Sequence, residues 1–285
     1  MTSTAAVIAV FVYMLSTGAY FAYLFVQKEY FYKYGYWLFA AGFAFHTIFM
    51  GMKVSMLGHM PGFSLSQTLF MAAWCVAGVF VLLHKKLDLK FFGIYVAPLV
   101  LIIMLFATLL PDTMHITASG GQTDMQLKDL KNSFWLIAHI VTVFFGEAAF
   151  ALAGGVGAFY LIQEAAIKNK KRGFFFRRLP SLERLDAAGY ACLVVGFTML
   201  TLGLITGIVY ARMVWGRFWA WDPKEVWSGL TWLVYAALLH QRLVVGWRGR
   251  RAAIMAIIGF CLLLFTFLGV NFFLEGHHGI FTSMQ

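Results

Sequence analysis

Apolar runs long enough to cross a bilayer recur from one end of the chain to the other, separated by polar stretches. Eight spans are predicted, at about 5–26, 36–56, 67–83, 92–110, 134–163, 187–211, 226–246 and 252–274. No stretch between them is long enough for a soluble domain. The pattern therefore predicts an all-α, polytopic integral membrane protein with eight transmembrane helices. The opening "MTSTAAVIAVFVYML" lacks the basic n-region and small-residue cleavage site of a removable signal peptide, so it is expected to stay as the first span. After the fourth span comes "PDTMHITASGGQTDMQLKDLKNS", about 23 polar residues whose Gly-Gly marks a connector. It divides the chain into an N-terminal four-helix half, 1–131, and a C-terminal half, 132–285. A second polar loop, "IKNKKRGFFFRRLPSLERLDAAG", reads as partly helical: Ser181 caps a short turn, with Arg184 and Asp186 facing water.

Composition agrees with the spans: 61% of the 285 residues are hydrophobic and 12% are charged. The charges add an orientation. Alternate loops carry Lys28 and Lys33, then Lys85, Lys86 and Lys90. Next come Lys168, Lys170, Lys171, Arg172, Arg177, Arg178 and Arg184, and last Arg242, Arg248, Arg250 and Arg251. That set holds 16 of the 22 basic residues, and basic residues mark the cytoplasmic side. Both termini are therefore expected on the outer, periplasmic-type side. The net charge of +10 is a topology signal, not a nucleic-acid footprint, and contact with lipid headgroups suits the basic loops. Cys75, Cys192 and Cys261 are isolated within apolar spans, without C-x-x-C or C-x-x-C-H, and read as buried structural cysteines.

One outer loop does not fit a simple turn. "WGRFWAWDPKEVW", Trp215 to Trp227, holds four of the nine tryptophans. Part of it reads as a helix start: Asp222 as N-cap, Pro223 first, Glu225 third, with Trp221 stapling onto Val226. An interfacial aromatic belt accounts for one or two indoles per helix end. It does not account for Trp215, Trp219, Trp221 and Trp227 together, with Phe218 among them and Trp232 below. Over about 212–232, such a cluster is an apolar platform for a flat or greasy partner.

Histidines approach that platform. His139 lies near the outer end of the fifth span, and His277 and His278 just follow the eighth. Two imidazoles flanking an aromatic shelf suit a bis-histidine haem, with Arg212, Arg217 and Lys224 as candidates for its propionates. The alternative is that these histidines are merely solvated. His240 sits deeper, in the cytoplasmic half of the seventh span. His46 lies mid-span and Glu147 two turns below His139, and each can be a satisfied packing group. His59 and His115 read as loop residues, His84 as a cytoplasmic-edge residue. No metal site other than haem iron is expected.

The stretch "LPSLERLDAAGYACLVVGFTMLTLGLITGIVYARMVWGRFWAWDPKEVWSGLTWLVYAALLHQR" resembles the tryptophan-rich signature of the CcsA/ResC family of cytochrome c biogenesis proteins. The likeness continues into "GVNFFLEGHHGI". Upstream, "FWLIAHIVTVFFGEAAF" resembles the family's first outer-histidine helix, and "GHMPGFSLSQTLFMAAW" more loosely its N-terminal half. The CcmC family shares the tryptophan-rich idea but not "WDPKEVWSGLTW". The resemblance implies a haem-handling subunit of cytochrome c synthase. It would work with a CcsB/ResB-type membrane partner, a thiol-reducing protein upstream, and apocytochrome c bearing C-x-x-C-H. Haem b would be held non-covalently in transit. The implied outer ligands are His139 and His278, the latter chosen over His277 by its offset from Asn271; the implied intramembrane ligand is His240, opposite a histidine of the partner. The implied membrane is a bacterial inner or thylakoid-type membrane, with the active site on the periplasmic or luminal face. Two positions depart from the family pattern: Glu147 stands where tyrosine is expected, and Gln67 where glutamate is common. The rival readings are a transmembrane b-type cytochrome using His46 and His240, and a haem exporter without a synthase step.

Overall fold

The apolar runs form helices that extend past the predicted spans at most ends, because a polar terminus continues a helix once it leaves hydrocarbon. In the computed structural model the described residues are 2–87, 90–110, 132–170, 173–174 and 176–269. His115, Asn271, His277 and His278 lie outside them. The helices are α1 (Thr2–Val26), α2 (Glu29–Leu57), α3 (Leu65–Leu87), α4 (Phe92–Leu109), α5 (Phe134–Lys168), α6 (Leu182–Trp215), α7 (Pro223–His240) and α8 (Arg250–Leu264). Short π-helical segments, Gln241–Val245 and Phe265–Gly269, extend α7 and α8. Among the described residues seven helices are long and apolar enough to cross a membrane; α7, interrupted by Lys224, Glu225 and several small polar residues, is the exception.

The four basic loops gather at one end of the bundle, and specific contacts hold them there. Lys90 pairs with Glu29 at 2.6 Å, joining the loop after α3 to the start of α2. Arg178 donates to the Leu24 and Phe25 carbonyls, tying the loop after α5 to the end of α1, where a cation suits the helix dipole. Arg250 reaches Glu164 at 3.3 Å. Asp186, expected to face water, instead receives Arg242 through two bonds of 3.0 and 2.6 Å, and the Gly249 amide at 2.8 Å. Ser181 caps the whole of α6, not a short turn, accepting from the Arg184 amide.

The larger core runs continuously from α1 to α6, with Tyr13, Tyr20, Phe39, Phe80 and Leu152 among its fully buried residues. Gln67 explains its departure from glutamate: its amide oxygen accepts from the Gly62 and Phe63 amides, work that needs no charge. Cys75 and Cys192 are buried as expected, but Cys261 is exposed, because it lies on the outward face of α8. The most extensive helix packing is between α5 and α6. They run antiparallel at very close range, and glycines make the approach possible. Phe150 rests on Gly196, Gly146 on the Leu200 backbone, Val143 on Gly203 and His139 on Gly207. A Cβ at any of these four glycines would fall within 3 Å of its neighbour.

Candidate functional site

The tryptophan-rich loop is shaped by the two helix ends it joins. α6 stops at Gly216, whose left-handed backbone (φ 70°) breaks the helix. The Arg212 guanidinium donates to the Gly216 carbonyl and lies 5.2 Å over the Phe218 ring, so it stiffens the turn. α7 begins at Pro223 with Asp222 as a buried N-cap accepting from the Lys224 amide at 2.9 Å. Glu225 closes the box from the other side. Its Oε2 accepts from both Ala220 N (2.8 Å) and Asp222 N (3.3 Å), gripping the backbone on either side of Trp221.

That grip has a consequence for Trp221. Its backbone is left-handed (φ 59°), a conformation that costs a bulky residue of order 1–3 kcal/mol. The ring is consequently thrown outward, 78% exposed, and does not staple onto Val226. It meets Trp219 edge to face at 5.9 Å. With Phe218, also exposed, these rings form an uncovered aromatic surface at the end of the bundle. Trp227 and Trp232 behave differently. Trp227 packs edge-on to Phe265, and Trp232 donates to the Thr201 hydroxyl at 2.9 Å while stacking on Phe197. Both indoles serve the packing of α7. Trp215 ends α6, half-buried.

His139 is seated below this surface, on α6. Its Nδ1 lies 2.7 Å from the Gly203 carbonyl oxygen, which can only accept, so Nδ1 carries the proton. Nε2 is then the lone-pair nitrogen, the form of imidazole that ligates iron. Gly207, under the ring, is eight residues before the end of α6, about 12 Å along the helix. His139 and the tryptophan surface thus share one end of the bundle.

The other candidates are more dispersed. The Arg217 side chain is exposed in the loop, whereas Lys224 lies in the field of the Glu147 and Asp222 carboxylates, inward from the loop. Glu147 is half-buried on α5. His240, the last residue of α7, is exposed and faces away from the chain's own bundle. It shares that outward face with Leu230, Leu233, Ala237 and Val244. His46 is fully enclosed, edge-on to Tyr13 at 6.1 Å and to Phe70 at 6.5 Å. His84 stacks on Tyr36 at 4.1 Å with Nε2 2.8 Å from the Tyr32 hydroxyl, and His59 is a buried loop residue.

The family described as Cytochrome C assembly protein matches residues 63–278. Among curated proteins, "Cytochrome c biogenesis protein CcsA" of Prochlorococcus marinus (strain MIT 9515) is 33% identical over 244 residues, covering 78% of this chain and 75% of the relative. The chain belongs to the CcsA family of cytochrome c biogenesis proteins. CcsA of Chlamydomonas reinhardtii is 35% identical over 225 residues, which are 78% of this chain but 61% of that longer protein. CcsA of Guillardia theta is 33% identical over 248 residues, 81% of this chain and 80% of the relative. In three dimensions the chain is similar to a solved "Cytochrome c Heme Lyase CcmF", with a TM-score of 0.61 at 15% identity, covering 99% of this chain and 48% of the lyase. That likeness is one of fold.

The family match covers the loop, His139, His240, His277 and His278, and it excludes α1 and α2. Three features of this CcsA-family chain escaped the sequence reading. Gly203 and Gly207 form the seat of His139, Glu225 makes a second bond to Ala220, and Trp221 is left-handed. Only "GLITG", a small-xxx-small pattern, hinted at the first.

Proposed function

We propose that this chain passes haem b, held non-covalently, across the membrane and presents it at the outer end of the bundle for thioether attachment to C-x-x-C-H of apocytochrome c. The observation that carries the reading is the pairing of a Nδ1-protonated His139 with an uncovered aromatic surface at the same end of α5, α6 and α7. His139 supplies one axial nitrogen and His278 the other. Trp219, Trp221 and Phe218 fix the plane of the porphyrin. Arg212 and Arg217 meet its propionates. Haem supplies the vinyl groups that add the thiols. The chain's residues contribute orientation and the exclusion of water. His240, exposed on the lipid side of α7, is the transit ligand, completed by an imidazole of a CcsB/ResB-type partner; an ionisable ring at that depth suits a partner better than lipid.

The arrangement has α7 as an eighth span, both termini outside and the basic loops in the cytoplasm. In this reading the protein sits in a bacterial inner or thylakoid-type membrane, with a thiol-reducing protein upstream. A b-type cytochrome built on His46 and His240 is disfavoured. His46 is enclosed on α2, which packs on α1 and α3, while His240 faces out from α7, which packs on α6 and α8.

The test is reconstitution. The full chain, co-expressed with its membrane partner and an apocytochrome carrying C-x-x-C-H, should yield haem that survives denaturation on the apocytochrome. Omission of the chain should abolish it. Haem that crosses the membrane without becoming covalently attached would instead identify a carrier.

A further inference from the structure

We infer that Gly203 and Gly207 of α6 are positioning residues that select the tautomer of His139 and aim its Nε2 at the haem iron. The inference rests on the proposed haem-ligating role of His139 and adds the device that makes the residue a ligand.

The geometry has three parts. First, the Gly203 carbonyl accepts a hydrogen bond from Nδ1–H, with N and O 2.7 Å apart, which fixes both tautomer and ring rotation. Second, the imidazole lies against Gly207: a Cβ there would come within 2.7 Å of both Cε1 and Nδ1. Nothing larger than hydrogen fits beneath the ring. Third, a Cβ at Gly203 would stand 2.5 Å from Val143 Cγ2 and 3.2 Å from Val143 N. Any side chain at Gly203 would therefore push apart the two helices whose closeness brings the carbonyl within reach. The Thr206 hydroxyl also lies 3.0 Å from this carbonyl, holding it from the α6 side. The seat is the uppermost of the close contacts between α5 and α6. The helix packing below it sets the height of the imidazole, and the carbonyl sets its direction. Outer hydrogen-bond partners of this kind typically change metal affinity by about 10–100-fold when lost.

Small imidazoles offered to the full-length His139→Gly chain, purified from membranes with its partner, separate the hydrogen bond from mere packing. 4-Methylimidazole reproduces the histidine side chain and keeps its N–H. 1-Methylimidazole ligates iron equally well but has no proton for Gly203. The readout is the ligand concentration that restores the low-spin optical spectrum. The expected result is that imidazole and 4-methylimidazole restore it at concentrations about tenfold or more below 1-methylimidazole. In a second arm, Gly207→Ala in the otherwise native chain should shift part of the haem from low to high spin and reverse on adding imidazole. Equal restoration by the N-methylated ligand, or a native spectrum in Gly207→Ala, overturns the seat while leaving His139 as ligand. If Gly207→Ala fails to fold, the ligand series decides alone. A native spectrum in His139→Gly itself, without added ligand, overturns the haem-ligating role and the seat together.

Discussion

Alanine at both Trp219 and Trp221 is expected to lower haem occupancy tenfold or more while the residual haem keeps its bis-imidazole spectrum. Each indole buries about 150–250 Å² when fully covered, and apolar area contributes roughly 25 cal/mol per Å². Trp219 and Trp221 start only 38% and 78% exposed, and a flat partner covers one face of each ring, so together they offer a few kcal/mol, where about 1.4 kcal/mol is a factor of ten. Neither substitution touches an imidazole, so ligation should survive where haem remains. Glu225→Ala should act in the same direction with both indoles intact. It releases the Ala220 and Asp222 amides, and Trp221 can then leave its left-handed backbone. Haem per chain by pyridine haemochromogen, with the optical spectrum, checks both variants. Unchanged haem content in the double variant would reduce the loop to a membrane-interface belt. Alanine at Trp232 should behave otherwise, lowering stability through the loss of its bond to Thr201 and its stack on Phe197.

His240→Ala is expected to leave the outer site nearly empty and to lower cytochrome maturation tenfold or more, with partial restoration by supplied imidazole. His240 lies a full helix length from the loop, so it cannot act on haem at the outer end. His240 is exposed among the described residues, as are its neighbours on that face, Leu233 (57%) and Val244 (70%). Truncation therefore removes little packing, and a loss of haem would report on transit and not on folding. Haem loading at the native level in His240→Ala would end the transit role.

How far the sequence could be read follows from what each feature depends on. Helices were legible because apolar runs report directly on hydrocarbon, and the start of α7 at Pro223 because "WDPKEV" carries its own local capping chemistry. Asp186 was misplaced because its partners, Arg242 and Gly249, lie 56 and 63 residues away and meet it only through helix packing. The staple between Trp221 and Val226 failed for a related reason: Glu225 also binds Ala220, two residues further back than a capping box requires, and so turns the backbone over. The six residues of the aromatic platform looked equivalent in sequence. Trp227 and Trp232 separate from the others only because α6 and α8 supply Phe197, Thr201 and Phe265 to receive them. The outward direction of His240 likewise depends on which face α7 turns toward its neighbours.

Haem resting on the exposed rings of the loop is tested most directly by a cysteine placed among them. A thiol adds to a haem vinyl held beside it, so trapped haem stays on the chain through denaturation. Trp221→Cys and Phe218→Cys, expressed with the partner, are predicted to retain haem on a denaturing gel, while Leu82→Cys, exposed near the basic-loop end of α3, retains none. Haem absent from both loop cysteines, or trapped equally at Leu82→Cys, would contradict this placement of haem.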